Sequence, residues 1–341
     1  MRLPVEAVNL FQGDAVGNNA TVTYRDIFPL GGEGWRKLRL TIHASVTHVD
    51  GANPTPHGLF NLIRGIRLHT SKNEDLIITP GLGLFYLNWL LNRVEPRHDA
   101  VPTSSIVAHA ILDLPLSMNL LGRKEDLCLD SNRYSHIELE IQTGNPEHLY
   151  GAGSEGSNTV AITFDMDLIR GKSTFAQSGK PLAVPYIKHL PPWALTRGYM
   201  DIESAKDLTL FGFQALVQDM GAQTCYDPAI GRPYSGLPID AMEDVTFRDN
   251  LISWLRNLDP GFFREERAHY AGLNLIDDIA GAGNYGLSGQ YPWIFARDGS
   301  IYNAYYTGDR SEIRLENNPV ALSGTTPQID MVIFGMRTMR E

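Results

Sequence analysis

The acidic side chains that best fit a hydrolytic site are Asp165 and Asp167, which alternate with apolar residues between Val160 and Leu168. Residues two apart in an extended strand point to the same face, so these two carboxylates should share one face. A glycosidase or amidase needs two carboxyl groups about 5–10 Å apart in a cleft. Adjacency along the chain does not create a cleft. We therefore predict solvated surface positions for this pair and for the other acidic pairs, Glu243-Asp244, Glu265-Glu266 and Asp277-Asp278.

Two glycine-rich strings match the dinucleotide-binding pattern G-x-G-x-x-G, at Gly151–Gly156 and Gly281–Gly286. That chemistry requires a helix directly after the glycines, because the helix N-terminus holds the pyrophosphate. The first string is followed by a strand-like segment, and the second by the irregular segment Leu287–Pro292. Both are interpreted as surface loops, and no cofactor site is predicted.

The histidines lack the spacing of a metal site, since no H-x-H or H-E-x-x-H string occurs. His43 and His48 are five positions apart on a predicted strand and should therefore face opposite sides. His57 lies in a proline-rich loop, and His98-Asp99 follows the end of a predicted helix. The sequence thus predicts no catalytic, cofactor-binding or metal-binding residues, and no enzyme.

Composition further narrows the functions and compartments that the chain can have. The formal net charge of −10 argues against direct neutralisation of nucleic acid, and Met1 to Asn19 contains only one basic residue, Arg2. Cys128 and Cys225 are too few for a disulfide framework and are expected to be small buried side chains in a reducing compartment. Neither a signal-peptide pattern nor a long apolar run is present, which predicts folding in the cytoplasm.

Most of the chain is patterned as short strands. Trp35 to Val49 alternates apolar and polar residues, which is typical of a strand with one buried face. Many such strands separated by turn signals favour a sandwich or barrel over a parallel α/β sheet. The other predicted strands are 62–68, 76–78, 106–114, 136–141, 160–168, 208–217, 272–276, 293–296, 301–306, 313–315 and 329–334, with a tight turn at Asp298-Gly299.

The two halves of the chain share several strings in the same order. The string WLLN at 89–92 matches WLRN at 254–257, and each lies in a segment with helical apolar spacing that ends at a proline, Pro96 or Pro260. Strand strings also match: 40–42 with 208–210, 137–140 with 313–316, and 162–164 with 331–333. A repeat of this length indicates duplication of a whole domain, because solenoid units are only about 20–50 residues long.

We therefore predict an all-β fold of two tandem eight-stranded barrels, each with one inserted helix. The first would span 1–175 and the second 176–341, with a proline-rich connector at 179–198 whose prolines stiffen the chain and block strand pairing. Whether Trp89 and Trp254 are domain core or lie where barrels pack stays open at this stage. A single continuous sheet system would contradict this prediction.

This architecture resembles the double jelly-roll major capsid proteins of tailless icosahedral DNA viruses, bacteriophages among them, many of which enclose a membrane. The resemblance covers nearly the whole chain and is carried by the helix blocks Leu82 to Pro96 and Phe247 to Pro260 and the strand blocks around them. Some relatives have a basic or amphipathic N-terminal segment facing the membrane, a pattern that Met1 to Val16 lacks.

The resemblance implies a structural virion protein without cofactors. Both eight-stranded barrels would be jelly rolls, and the protein would form homotrimers with a pseudo-hexagonal outline. The trimers would join into a lattice with minor capsid or vertex proteins, and whether an internal lipid membrane lies beneath the lattice stays open. Two alternatives remain open: a secreted two-barrel hydrolase related to glycoprotein amidases, and a carbohydrate-binding spike or adhesin. The adhesin would present exposed aromatic side chains, for which Tyr302, Tyr305 and Tyr306 are the nearest candidates, although strand core is expected for them.

Overall fold

The computed structural model shows a chain built almost wholly from antiparallel strands. It describes residues 5–30, 34–49, 58–92, 94–117, 128–150, 158–171, 183–194, 198–201, 208–219, 226–227, 232–233, 242–249, 252–258, 290–295, 304–307, 313–319 and 327–338. Among these residues, no helix is both long enough and apolar enough to span a membrane.

The first half folds into two sheets whose order defines a jelly roll. One sheet has the order β1-β9-β3-β6, and the other contains β5-β4-β8-β2. The first strand therefore lies beside the eighth main strand and the second beside the seventh, as in a pair of Greek keys. The elements are β1 (Val5–Val16), β2 (Thr21–Tyr24), β3 (Gly34–Thr47), α1 (Gly58–Asn61), β4 (Ile63–Thr70), β5 (Asp75–Thr79), α2 (Gly81–Asn92), β6 (Ile106–Pro115), the short β7 (Leu129–Asp130) that pairs with β3, β8 (Ile137–Thr143), α3 (Glu147–Tyr150) and β9 (Thr159–Gly171).

The second half repeats this connectivity. Its sheets have the orders β17-β12-β20-β10 and β11-β19-β15-β16, so its eight main strands pair in the same sequence as those of the first half. The elements are β10 (Ala183–Ala194), β11 (Gly198–Asp201), β12 (Leu208–Asp219), the ribbon β13 (Tyr226–Asp227) and β14 (Arg232–Pro233), β15 (Met242–Asp249), β16 (Ile252–Leu258), β17 (Gln290–Ile294), β18 (Tyr305–Tyr306), β19 (Ile313–Pro319) and β20 (Pro327–Thr338). The predicted all-β tandem jelly roll is confirmed.

Each jelly roll encloses apolar side chains that alternate along its strands. In β3 the side chains of Leu38, Leu40 and Ile42 are fully buried, which confirms the predicted strand and its buried face. In the second half Phe213 of β12 and Phe247 of β15 stack with ring centroids 6.0 Å apart, so the two sheets meet face to face through aromatic side chains.

The helix predicted in the second half over Phe247 to Pro260 is wrong. Residues 242–249 and 252–258 form the antiparallel strands β15 and β16, and β15 also pairs with β19. Short apolar segments fit strand and helix patterns alike, and here sheet pairing decides the outcome. The helix predicted in the first half is confirmed as α2, with Trp89 buried in it. Trp254 lies on β16, so the two tryptophans do not occupy equivalent positions.

The proline-rich segment 179–198 does not block strand pairing, contrary to expectation. β10 pairs with β20 along most of its length, and Pro185 sits within the paired register opposite Met336. The register shifts between Leu190 and Trp193, at Pro191-Pro192, so an irregularity accommodates two residues that cannot donate to the ladder. The domain boundary near residue 175 lies outside the described residues.

The two halves also share a sheet, which the sequence did not predict. β10 pairs in parallel with β5 through Ile187 with Ile77 and Lys188 with Ile78. The second sheet of the first half thereby continues into the first sheet of the second half. This continuity rests on two residue pairs, and each half keeps its own complete order of eight strands. The chain therefore has two jelly rolls joined edge to edge.

Candidate functional site

The outer face of the sheet β1-β9-β3-β6 carries aspartate, histidine, lysine and arginine side chains that contact one another across the strands. Strand alternation places them there: the residues that flank the buried Leu40 and Ile42 on β3 point outward, and so do those that flank Met166 on β9. We call this surface the outer face of the first sheet. It contains both aspartates that the sequence singled out, Asp165 and Asp167, and His43.

One chain of hydrogen bonds crosses all four strands of this face. The Gly13 amide of β1 donates to Asp165 Oδ1 on β9 at 2.7 Å. Asp165 Oδ2 lies 2.8 Å from Nε2 of His43 on β3, and Nδ1 of His43 lies 2.7 Å from Nδ1 of His109 on β6. We call this series the histidine row. Pairing of His43 with His109 was not predicted, because it depends on the register between β3 and β6.

Asp165 is held as a carboxylate in this row. Its partial desolvation alone would raise the pKa, but the hydrogen bonds from the Gly13 amide and from His43 outweigh that effect and lower the pKa of Asp165 below its ordinary value. An ionised carboxylate can only accept hydrogen bonds. Nε2 of His43 must therefore carry the proton in the contact with Asp165.

A second row runs parallel to the first. Asn9 Nδ2 of β1 donates to Asp167 Oδ1 of β9 at 2.9 Å, and Arg39 lies opposite Asp167 in the register of β3. On the other side, Asp113 of β6 accepts from Arg39 Nε at 2.9 Å and from Lys37 Nζ at 2.6 Å. Burial alone would raise the pKa of Asp113, but its bonds to the two cations lower it below the ordinary value.

Helix α2 and the segment that follows it cover part of the free edge of strand β6. Asn88 of α2 donates to the Asp113 carbonyl at 2.8 Å and accepts from the Asp113 amide at 2.9 Å. The Asp99 amide donates to the His109 carbonyl at 2.8 Å, and the Ile111 amide donates to the Arg97 carbonyl at 3.0 Å. This cover stops at His109, because no such bond to Val107 is formed in the described part of the chain. Uncovered edges of this kind are where a sheet can contact another chain.

The end of the face beyond His109 is apolar and exposed. Ile106 and Val107 are 51% and 48% exposed, and Val49, which follows β3, is 69% exposed. In the strand register Val107 lies opposite Ser45, which in turn lies opposite Ala161, so uncharged side chains continue across three strands. We call Val49, Ile106 and Val107 the apolar end. Val107 points to the outer side like His109, whereas Ile106, its neighbour on the strand, points to the other side. Exposed large apolar side chains at the end of a sheet make this end a candidate contact surface.

The remaining residues considered from sequence are dispersed. His48 stacks on Tyr150 and is not near His43's partners, while His98 lies 3.0 Å from Glu95. Burial alone would lower the pKa of His98, but the bond to Glu95 and the Asp99 carbonyl raise it. Tyr305 and Cys128 are buried, and Tyr306 is exposed. Outside the described residues lie Gly151–Gly156, Gly281–Gly286, His57, Cys225, Tyr302, Asp277-Asp278, Glu265-Glu266, Asp298-Gly299 and the predicted strand 272–276.

The side chains on the outer face are arranged as a surface for contact with other molecules rather than as the cleft that hydrolysis by paired carboxylates requires. Asp165 and Asp167 share a face, as predicted, but each carboxylate is engaged by neighbouring strands. A polar pocket of about 320 Å³ lies elsewhere, and its walls contain no aspartate or glutamate; they comprise Asn19, Arg64, Gln142, Thr143 and His148. In the part of the chain that is described, no three histidine, cysteine or acidic side chains converge as metal ligands.

Comparison with solved structures identifies the fold. The major capsid protein P2 of bacteriophage PM2 matches with a TM-score of 0.59 and 11% identity, over 99% of both chains. A chain from the structure of Sulfolobus Turreted Icosahedral Virus matches with a TM-score of 0.68 and 12% identity, over 97% of this chain and 90% of that one. The STIV MCP matches with a TM-score of 0.62 and 12% identity, over 98% and 96%. Neither a protein-family model nor a curated protein matches the chain.

Proposed function

We propose that this chain is the major capsid protein of an icosahedral virus and acts as a structural building block without catalysis. The observation that carries the proposal is that one polypeptide contains two complete jelly rolls, in a fold shared over its whole length with viral major capsid proteins. At this level of identity the likeness concerns the fold, so the function rests on the fold together with the exposed surfaces described above.

The assembly unit that fits this architecture is a homotrimer. Three chains with two jelly rolls each place six similar bodies around one axis, and closed rotational symmetry is the usual arrangement of identical chains. The outline is then pseudo-hexagonal, and such trimers tile a shell. Contacts inside an obligate trimer should bury more than roughly 2,000 Å², and contacts between trimers should be smaller.

The apolar end is the surface that we assign to contacts within the trimer. Val107 lies at the end of β6 where the cover of the strand edge stops, and Ile106 beside it on the strand and Val49 after β3 are also exposed. Burial of such side chains stabilises an interface by about 25 cal/mol per Å² of apolar surface. Further partners in this proposal are minor capsid or vertex proteins and an internal membrane. The protein would fold in the host cytoplasm and reside in the virion.

A direct test is the mass and shape of the purified protein. With a chain mass of 37.9 kDa, we expect a particle near three times that mass in light scattering and hexagonal outlines in electron micrographs. Val107→Asp should shift the protein toward monomer, since it would bury an unpaired charge. Val94→Asp serves as the control, because Val94 is another exposed valine, at 67% against 48% for Val107, and lies outside the four strands of the outer face. A wild-type monomer at micromolar concentration would contradict the proposal.

The hydrolase and adhesin alternatives gain no support from the described residues. A hydrolase would depend on Asp165 and Asp167, the best pair available, and both are engaged in strand-to-strand hydrogen bonds on the outer face. Among the tyrosines considered for an adhesin, Tyr305 is buried in an aromatic cluster with Phe247, as expected, whereas Tyr306 is 59% exposed, so the strand core expected for it is wrong. One exposed ring is not the set of aromatic side chains that an adhesin would present. Loss of a hydrolytic activity in Asp165→Asn and Asp167→Asn with the fold intact would favour the enzyme.

A further inference from the structure

We propose that His43 and His109 form an acid-sensitive switch on the outer face of the first sheet, which weakens contacts between copies of the chain when the pair takes up a second proton. The inference rests on the proposed function in one respect, because the contact that it controls is self-association through the apolar end. The switch itself is a property of the single chain and can be tested separately.

The two rings are positioned by the sheet. His43 and His109 are direct partners in the antiparallel register of β3 and β6, and their rings meet edge to face with centroids 4.8 Å apart. Nδ1 of one ring lies 2.7 Å from Nδ1 of the other. A nitrogen pair at this distance shares one proton, so one ring donates and the other accepts.

The number of protons on the two rings decides whether the contact between their Nδ1 atoms can be kept. Asp165 accepts from Nε2 of His43, so a neutral His43 has a bare Nδ1 that accepts from Nδ1–H of His109. A first extra proton can be placed on either ring without loss of the Nδ1 contact, because the other ring still offers a lone pair. A second extra proton leaves an N–H on each Nδ1, and two donors then face each other at 2.7 Å between two cations.

When both rings are protonated, His109 is the ring that should move away from the pair. His43 is anchored by Asp165 on its other nitrogen, whereas His109 is the more exposed ring, and no carboxylate among the described residues hydrogen-bonds to its side chain. The ionisable groups on the elements packed around the pair are Asp165 and Asp167 on β9, Arg39 and Lys37 on β3, Asp113 on β6, and Asp99, whose Oδ2 accepts from the His109 backbone amide at 2.9 Å.

Release of His109 alters the surface that the proposed trimer uses. His109 lies two residues from Val107 on the same outward side of β6. In the structure the His109 ring lies against the His43 ring. With both rings protonated, two positive charges adjoin the apolar end, and burying them against another subunit becomes unfavourable. Two interacting imidazoles should also take up protons in two macroscopic steps rather than one.

The single-chain test is histidine C2-hydrogen exchange followed by mass spectrometry between pH 8 and pH 4.5, since the exchange rate reports imidazole protonation at each histidine. We expect two-step profiles for His43 and His109, and a one-step profile for His43 in His109→Gln, whose amide still donates to Nδ1 but cannot take up a proton. His69 is the internal reference, because it contacts Asp75 at 2.9 Å without a second histidine. One-step profiles for both residues, unchanged in His109→Gln, would overturn the proposal.

The assembly test is light scattering of the same proteins at pH 7.5 and pH 5.0. We expect wild type and the control His69→Gln to associate at least tenfold more weakly at pH 5.0, and His109→Gln to keep its association. Equal weakening in His109→Gln would refute the switch. Absence of association at pH 7.5 in every protein would instead contradict the trimer, while the exchange profiles would still decide whether the pair couples.

Discussion

Replacing Gly212 by alanine tests whether the second half is built as described. Gly212 lies at the register shift of β12, between β17 and β20. A methyl group there would overlap the carbonyl oxygen of Trp293 on β17 and come within 2.7 Å of Cζ of Phe334 on β20. The first obstacle is backbone of the neighbouring strand, so it cannot move aside by a change of rotamer, and β17 must separate from β12.

The magnitude follows from two opposing effects. Alanine in place of a strand glycine normally stabilises by about 0.5–1 kcal/mol, because the unfolded chain loses freedom. Overpacking of a fixed core costs about 1–3 kcal/mol, and a backbone obstacle belongs at or above the upper limit. We therefore expect Gly212→Ala to lower the free energy of unfolding by about 2–3 kcal/mol.

The matched control is Gly65→Ala on β4. Its added methyl group would meet Gln142 at 3.5 Å and 3.7 Å, which is ordinary contact with a flexible side chain. Urea unfolding followed by circular dichroism and intrinsic fluorescence should place the midpoint of Gly65→Ala at or above that of wild type and the midpoint of Gly212→Ala well below it. Equal midpoints for the two variants would refute the close approach of β12 and β17, and with it the first sheet of the second jelly roll.

Three further variants probe the first half. Asn88→Ala should cost about 2–4 kcal/mol in urea unfolding, since it leaves two buried backbone groups of β6 without partners, whereas Asn92→Ala at the exposed end of the same helix should be nearly neutral. Asp113→Asn should cost about 1–3 kcal/mol at pH 7. Because the folded-state pKa of Asp113 is lowered, its contribution is present above about pH 4 and is lost as the pH falls through the folded value, so the variant's unfolding free energy should vary less between about pH 5 and pH 2. His98 has a raised pKa, so its contribution is present below about pH 6.5 and is lost as the pH rises through the folded value; His98→Gln should remove that loss in unfolding curves recorded from pH 6 to pH 9.

The sequence predicted several of the central strands from their alternation of apolar and polar residues. The alternation in Trp35 to Val49 corresponds to β3, and 160–168 corresponds to the centre of β9. It did not predict β1 or β10. β1 is interrupted by register shifts near Gly13, which has φ +67°, and β10 contains three prolines, so both lack the regular pattern that marks a strand. Their pairing is decided by the neighbouring strands β9 and β20, which a local pattern cannot reveal.

The histidine row could be predicted only in part. Alternation places Asp165, Asp167 and His43 on outward positions of two strands. The shared face of the two aspartates is therefore predictable from the sequence. The partner of His43 is a residue 66 positions away whose identity depends on which residue of β6 faces which residue of β3. A slip of one residue would turn His109 to the opposite face. Register is a property of the assembled sheet, so neither the pair nor its proton balance is visible in the chain alone.

The duplication was inferred from one pair of strings that do not occupy equivalent positions and from three pairs that do. The tryptophan strings 89–92 and 254–257 fall on α2 and β16, which are not equivalent. The weaker strand strings do fall on equivalent strands: 40–42 and 208–210 on β3 and β12, 137–140 and 313–316 on β8 and β19, and 162–164 and 331–333 on β9 and β20. Physical constraint explains the difference. A strand in the middle of a jelly roll must bury one face and pair on both sides, so its alternation persists in both halves even when its residues diverge. Trp89 lies on α2, in the connection between the fifth and sixth strands of the first half, which bears neither constraint, whereas Trp254 lies on β16, the fifth strand of the second half. Their shared string therefore carries little information about ancestry or fold.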